Sequence, residues 1–159
     1  RGFEDLEAGK RPCMQCALAV VIAQAYRGKD LSSQMVRTMR AIGEMQGFET
    51  LIVPVRPNMK SLYPLAPMSR YVAWENEDGL PLDSWMRVHA RLGAEIVKVC
   101  SRSMRIIGSV ADWEAWTDMR FPDTGSYIVP EALVPVEVDR EADEGVYVEP
   151  NVWMKHTIS

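Results

Sequence analysis

The sequence has few of the features that mark membrane, secreted or nucleic-acid-binding proteins. No apolar run approaches the roughly 20 residues of a membrane-spanning helix, and the longest, at residues 17–23, has the length of a strand. The net charge of −4 argues against a general nucleic-acid or anionic-membrane binder. Hydrophobic residues make up 47% and charged residues 25%, which is typical of a globular protein, so we expect one domain over residues 1–159.

Cysteine is also scarce. The three cysteines, Cys13, Cys16 and Cys100, form no even set for disulfides and predict a reducing, cytoplasmic location. Cys13 and Cys16 have the spacing of half a zinc site, but no second pair or nearby histidine completes a tetrahedral set of ligands. We therefore expect no metal, and we interpret the pair as two small side chains entering a strand.

Hydrophobic patterns in the first third of the chain predict a βαβ unit. Residues 16–23 form a near-continuous apolar run, as expected for a strand buried on both faces. Apolar residues at helical spacing predict a helix over 32–46, with Asp30 or Ser32 as its N-cap. Residues 48–55 predict a second buried strand, so the two strands should be near-parallel neighbours.

The rest of the chain predicts shorter elements. Four prolines within 56–82 exclude a long regular element there, apart from a short helix near 68–74. The remaining predicted elements are a helix from Asp83 or Ser84 to residue 92, strands over 94–99 and 104–110, a helix over 111–118, and a β-hairpin within 134–148. The chain is therefore expected to have an α/β (α+β) fold with flanking helices and a C-terminal β-hairpin.

One turn between the first strand and the first long helix has anion-binding chemistry. The first backbone N–H groups of a helix lack intrahelical partners and carry partial positive charge, so phosphate is a natural ligand there. Arg27 and Lys29 add cationic side chains, and Gly28 permits close approach. The turn is neither a Walker P-loop nor a three-glycine dinucleotide fingerprint. A surface turn with solvated charges is the alternative interpretation.

The run Arg27-Gly28-Lys29-Asp30-Leu31-Ser32, placed after an apolar strand, resembles the acyl-CoA-binding core of the GNAT superfamily of N-acyltransferases. The family has Arg/Gln-x-x-Gly-x-Gly/Ala at this helix start. The resemblance implies that the backbone amides of these six residues hold the pyrophosphate of coenzyme A. It also implies that Leu18, Ala19 and Val20 pair with the pantetheine arm, and that the sheet is mixed and mostly antiparallel with a splayed, near-parallel strand pair.

Two residues of this run depart from the family pattern. Asp30 stands where glycine is preferred, and Ser32 where glycine or alanine is preferred. A carboxylate beside a diphosphate is repulsive unless its side chain turns away or caps the helix. The hydroxyl of Ser32 could donate to the ligand.

A second resemblance concerns the catalytic acid. Residues 86–97 are similar to a later helix of the family, which carries a tyrosine four residues before a glycine. His89 holds that position before Gly93. In the family this tyrosine often protonates the departing CoA thiolate, and an ordinary histidine pKa of about 6.5 would let His89 do the same. Tyr63 is a competing acid. For both residues a purely structural role stays open, as a helix-face histidine and as an aromatic packed under a proline-rich loop.

Other groups have less defined roles. Glu114, Glu149 and Asp83 are candidate general bases, although Asp83 is better explained as a helix cap. The five tryptophans either pack the core or line an apolar acceptor pocket.

The resemblance thus implies an acyl-CoA-dependent N-acyltransferase, with acetyl-CoA as co-substrate and a small-molecule or peptide amine as acceptor. A non-catalytic GNAT-like module that binds acyl-CoA or a protein is the alternative. The family has further strands and helices before the long strand, where this sequence has only about a dozen residues. We expect either that these elements are missing or that a partner, such as a second copy in a homodimer, covers the open sheet edge.

Overall fold

The computed structural model describes residues 2–158, with side chains from residue 4 onward, and its contacts divide the chain into two compact units. The first unit contains the described residues up to Pro54, Val88–Val97, and those from Trp153 onward. The second unit contains Val55–Arg87 and Lys98–Val152.

The first part of the chain forms the βαβ unit that the pattern predicts. A short helix, α1 (Gly2–Glu7), comes first, and the unit itself consists of β1 (Gln15–Cys16), α2 (Leu31–Met45) and β2 (Thr50–Val55). Strands β1 and β2 pair in parallel, with Gln15 opposite Leu51. The prediction of near-parallel neighbouring strands is therefore confirmed.

The predicted strand over residues 16–23 is wrong beyond its first residues. The Ala17 N–H donates to the Ile52 carbonyl (3.0 Å), and after that the chain leaves the ladder, with Leu18 86% and Val21 92% exposed. In this register the next bond to the Ala17 carbonyl would have to come from residue 54 of β2, which is proline and has no N–H. The strand pair ends where the donor is missing, so apolar composition alone overestimated its length.

The remaining elements follow the patterns closely. They are α3 (Met68–Tyr71), α4 (Ser84–Arg91), β3 (Glu95–Gly108), α5 (Val110–Thr117), β4 (Gly125–Tyr127), β5 (Val136–Asp139) and β6 (Glu144–Thr157), with short 3₁₀ turns at Gln24–Tyr26 and Lys60–Leu62. The two strands predicted over 94–99 and 104–110 are one continuous strand, and β4 was not predicted. The predicted hairpin is β5 and β6, with Val138 opposite Gly145.

Hydrogen bonds join the six strands in the order β1-β2-β6-β5-β4, and β3 also pairs with β6. The pairs β4–β5 and β5–β6 are antiparallel, whereas β1–β2 is parallel. This confirms the predicted mixed, mostly antiparallel sheet with flanking helices.

Asp83 fixes the start of α4 in the second unit. Its buried carboxylate accepts hydrogen bonds from the backbone N–H groups of Trp85 and Met86, both at 3.0 Å, as an N-cap does. The other carboxylate oxygen accepts from Met59 N–H (2.8 Å) and from the hydroxyl of Tyr71 (2.9 Å). The predicted cap is confirmed. The four hydrogen bonds occupy both oxygens of the Asp83 carboxylate in structural contacts.

The core of the second unit packs around Trp113 of α5. Its indole N–H donates to the Gly145 carbonyl at 2.8 Å, and a Cβ at position 145 would overlap the indole ring. The cluster consists of Val110, Trp113, Phe121, Val129, Ala132, Val136, Val138 and Tyr147. Among the described residues, no helix combines the length and the apolar content that crossing a bilayer requires.

Candidate functional site

The predicted anion-binding turn precedes α2 and has the backbone of a helix start. Gly28 has φ +76° and Asp30 has φ +55°, so the chain bends sharply just before Leu31. Within residues 2–158 no group accepts a hydrogen bond from the backbone N–H of Leu31, Ser32 or Ser33. Three aligned amide donors at the positive end of a 15-residue helix suit an anion.

Asp30 occupies the N-cap position of α2 but does not cap it through its side chain, so that part of the prediction is wrong. One carboxylate oxygen lies 3.8 Å from Nη1 of Arg37, two turns along the helix. Attraction to this arginine draws the carboxylate toward the helix side and partly offsets its charge. The repulsion expected between Asp30 and a diphosphate is reduced accordingly.

The cationic side chains of the turn are exposed. Among the described residues the Arg27 side chain makes one hydrogen bond, from Nε to the Ile22 carbonyl at 3.4 Å, and the Lys29 ammonium lies 5.2 Å from the centroid of the Tyr26 ring. Both contacts are local and weak, so both side chains can turn toward a ligand without breaking a buried interaction.

Leu18, Ala19 and Val20 lie just beyond the end of the β1–β2 ladder. Leu18 and Ala19 are exposed and Val20 is half-buried. Their backbone N–H and C=O groups make no hydrogen bonds to the part of the chain that the structure describes. A ligand strand such as a pantetheine arm could pair with these groups.

His89, the first candidate acid, is 1% exposed and contacts the other histidine of the chain, His156, which is fully buried. His89 Nδ1 lies 2.9 Å from His156 Nε2. Burial, and then the neighbouring His156, lowers the pKa of His89 to about 4. His89 is therefore neutral near pH 7, and any proton it gives must come from the neutral imidazole. Sequence reasoning missed His156, because no local pattern connects two residues 67 positions apart.

Arg40 of α2 fixes the surroundings of His156. Its guanidinium donates to the carbonyls of Leu92 (3.2 Å) and Thr157 (3.0 Å). Burial lowers the pKa of His156, and the Arg40 charge lowers it further. Burial thus favours the uncharged form of both histidines, and the neighbouring charge of Arg40 favours it further for His156.

Tyr63, the second candidate acid, belongs to the other unit and follows the 3₁₀ turn Lys60–Leu62. Its ring is 39% exposed and packs edge-on against Trp74, with centroids 5.0 Å apart. The ammonium of buried Lys60 donates to the Tyr63 carbonyl at 2.8 Å. The hydroxyl makes no hydrogen bond to the described residues and can reach solvent or a ligand.

The second unit contains an open cleft of about 500 Å³. Strands β3 and β6, helix α5 and the loop around residues 129–132 form its walls. The cleft is lined by Arg56, Met104, Ile106, Trp113, Trp116, Thr117, Val129, Pro130, Glu131, Ala132, Tyr147 and Glu149. Of the tryptophans in this lining, Trp113 also packs in the core and Trp116 is 57% exposed, and a role of either in an acceptor pocket stays a prediction.

The floor of the cleft carries an ion pair that sequence reasoning did not find. Arg56 Nε lies 3.0 and 2.9 Å from the two oxygens of Glu149, which is 6% exposed. The hydroxyl of Tyr147 donates to Glu149 at 2.7 Å and accepts from the Leu133 N–H at 3.0 Å. Burial raises the pKa of Tyr147 to about 12, with a further contribution from Glu149. Tyr147 and Glu149 are two residues apart on a strand, so their side chains lie on the same face. This spacing was the sequence signal that could have indicated their contact.

The three candidate bases are now placed. Asp83 caps α4, Glu149 pairs with Arg56, and Glu114 accepts a hydrogen bond from the Phe121 N–H. That bond, and then one from Arg120, lowers the pKa of Glu114. Each carboxylate is already engaged, so none stands out as a poised base.

Comparisons with known proteins agree with this architecture. No family model matches the chain. An arginine N-acetyltransferase, avaD, from Aspergillus versicolor is 35% identical over 177 aligned residues, which include 99% of this chain and 61% of that protein. The chain thus spans about three fifths of the length of this curated relative.

Two solved structures share the fold. The loading GNATL domain of CurA from Lyngbya majuscula has a TM-score of 0.57 and 18% identity, covering 98% of this chain and 61% of that one. The GphF GNAT-like decarboxylase, solved in complex with isobutyryl-CoA, has a TM-score of 0.54 and 16% identity, covering 98% and 63%. The comparisons agree with the resemblance found in the sequence: this chain has a GNAT-like fold and is similar in sequence to a curated arginine N-acetyltransferase.

Proposed function

We propose that this chain takes part in acetyl transfer from acetyl-CoA to an amine, and that arginine is the first acceptor to test. The observation that carries the proposal is the 35% identity, across nearly the whole chain, to an arginine N-acetyltransferase. The GNAT-like fold supports it, and a solved neighbour of that fold holds an acyl-CoA.

In this proposal the turn from Arg27 to Ser32 holds the coenzyme A diphosphate. The unbonded amides at the start of α2 supply the directed donors, and Arg27 and Lys29 supply charge. Leu18, Ala19 and Val20 pair with the pantetheine arm through backbone groups that the sheet leaves unused. The proposal needs no metal at this turn, since the amides and cations provide the anion-binding chemistry.

The chemistry is attack of a neutral amine on the thioester carbonyl, followed by departure of the CoA thiolate. The amine nitrogen forms the new bond to carbon and gives one proton to water or a carboxylate, the carbon–sulfur bond breaks, and the thiolate takes a proton from the catalytic acid. Holding both substrates in place supplies most of the rate, and a backbone N–H near Val20 or Val21 stabilises the developing oxyanion. Tyr63 or His89 donates the proton to sulfur, and the absence of a charged form of His89 near neutrality favours Tyr63.

The acceptor in this proposal is a small amine or a peptide amine. The three cysteines are free thiols, which suits the reducing conditions of a cytoplasmic location.

Calorimetric titration with acetyl-CoA, followed by a thiol-release assay with arginine, tests the proposal. We expect binding and arginine-dependent thiol release. Arg27→Ala should weaken acetyl-CoA binding about tenfold, the effect of losing one charge-assisted contact of about 1.4 kcal/mol. Arg102→Ala, at an exposed arginine of β3, is the matched control and should leave binding unchanged. No binding of acetyl-CoA would refute the proposal.

The non-catalytic module differs in one outcome. Acetyl-CoA would bind and respond to Arg27→Ala, but no amine in a panel would release thiol. That result would replace the enzyme by the acyl-CoA-binding alternative.

A further inference from the structure

The guanidinium of Arg56, at the floor of the cleft in the second unit, has unused hydrogen-bond donors. A guanidinium has five N–H groups. Arg56 uses Nε toward Glu149, and Nη2 donates to the Glu131 carbonyl at 2.8 Å. The other three N–H groups, two on Nη1 and one on Nη2, have no acceptor among the described residues. The Arg56 side chain is 47% exposed, so these donors are accessible.

The same contacts hold Arg56 in one orientation. Glu149 is buried and is itself fixed by the Tyr147 hydroxyl. Glu131 has φ +64°, a left-handed conformation that is uncommon for glutamate, and its carbonyl accepts from Arg56 in that conformation. An arginine supported by a carboxylate on one edge and a carbonyl on another presents its remaining edge ready for a planar anion.

The rest of the cleft suits the body of a small amino acid derivative. Met104, Ile106 and half-exposed Trp116 give apolar walls for a methylene chain. The exposed Glu131 side chain, also in the lining, provides a negative charge for a cationic end. Since Glu149 balances the charge of Arg56, a ligand carboxylate must be recognised by directed hydrogen bonds rather than by net positive potential.

We propose that this cleft binds the carboxylate of a free amino acid acceptor through the unused donors of Arg56. The inference rests on the proposed function for the identity of the acceptor. It adds that the acceptor is a free amino acid rather than a polyamine, an amide or an internal residue of a protein.

Calorimetry of the wild-type chain with arginine and with argininamide, which lacks the carboxylate, gives the first test. Argininamide carries one more positive charge, so a cleft that recognised only cations would favour it. We expect argininamide to bind about tenfold more weakly or worse, the effect of losing a bidentate charge-assisted contact. Equal or tighter binding of argininamide, or no heat with arginine, would overturn the inference.

Arg56→Gln gives the second test, with Arg102→Gln as control and thermal unfolding as a check on folding. We expect arginine to bind about tenfold more weakly to Arg56→Gln, while argininamide affinity stays within about twofold. An equal loss for both ligands would overturn the carboxylate assignment. These binding measurements need no turnover. Carboxylate-dependent binding without thiol release would therefore support the cleft assignment and refute only acetyl transfer. Thiol release from arginine and argininamide with the same KM would support acetyl transfer and refute the cleft assignment.

Discussion

The buried histidine pair makes the stability of this chain depend on pH in a calculable way. In the folded state the pKa of His89 is lowered to about 4, mainly by burial, whereas an unfolded histidine titrates near 6.5. As pH falls from about 6.5 to about 4, the unfolded chain takes up a proton that the folded chain does not. The contribution of His89 to stability is therefore present above pH 6.5 and is lost through this window.

The size of the loss follows from the pKa difference. About 2.5 pH units at about 1.36 kcal/mol each give about 3 kcal/mol for His89 by pH 4. The pKa of His156 is lowered as well, so the pair should lose at least this much. Protonation of both histidines in the folded state is opposed by steric repulsion as well as by charge. With every ring nitrogen protonated, two N–H groups would point at each other across the 2.9 Å contact.

Urea unfolding, followed by tryptophan fluorescence at several pH values from 7.5 to about 4, measures this effect. His89→Asn places an amide near the former Nδ1 atom and removes the titrating group, and His156→Gln does the same for Nε2. Carboxylate titration is common to all three proteins, so the difference between wild type and variant isolates the histidine. The wild type should lose about 3 kcal/mol more than His89→Asn over this range. Parallel curves for the two proteins would refute the reasoning.

Three further substitutions test the packing. Asp83→Asn turns an acceptor of four hydrogen bonds into a group with a misplaced donor, and should cost about 2–3 kcal/mol by urea unfolding, whereas Asp118→Asn, at an exposed left-handed position, should be neutral. A stable Asp83→Asn protein would contradict the four-bond assignment. Gly145→Ala places a methyl group against Cδ1 of the Trp113 ring and should cost about 2 kcal/mol, which lowers the unfolding temperature by about 4–8 °C; an unchanged value would show that the ring moves freely. Arg40→Met removes two carbonyl contacts and should cost about 1–3 kcal/mol, while raising the pKa of His156 in an NMR titration. A fall in that pKa would rule out the assigned influence of the Arg40 charge.

Local signals accounted for most of the helices. The ends of α2 and α4 were predictable because an apolar stripe, a cap such as Asp83 and a following glycine such as Gly47 all act within a few residues. Strand β4 was missed because three residues carry too little alternation to distinguish them from a loop.

The errors arose where the deciding partner is distant in sequence. The length of the first strand depends on Pro54, which stands opposite it and cannot donate. The contact of His89 with His156 and that of Arg56 with Glu149 span 67 and 93 positions, respectively. The run at Arg27 could be compared with a family pattern because that pattern is contiguous, and its role stays a prediction; the cleft has no contiguous pattern.

Proline is usually considered for what it does to its own strand, but Pro54 acts mainly on its neighbour. Because Pro54 has no N–H, the β1–β2 ladder ends after Ala17. The backbone N–H and C=O groups of the next three residues make no hydrogen bonds to the described residues. If the parallel pairing continued past Ala17, these groups would form hydrogen bonds within the sheet. Because Pro54 lacks an N–H, the backbone groups of Leu18, Ala19 and Val20 have no partner strand among the described residues.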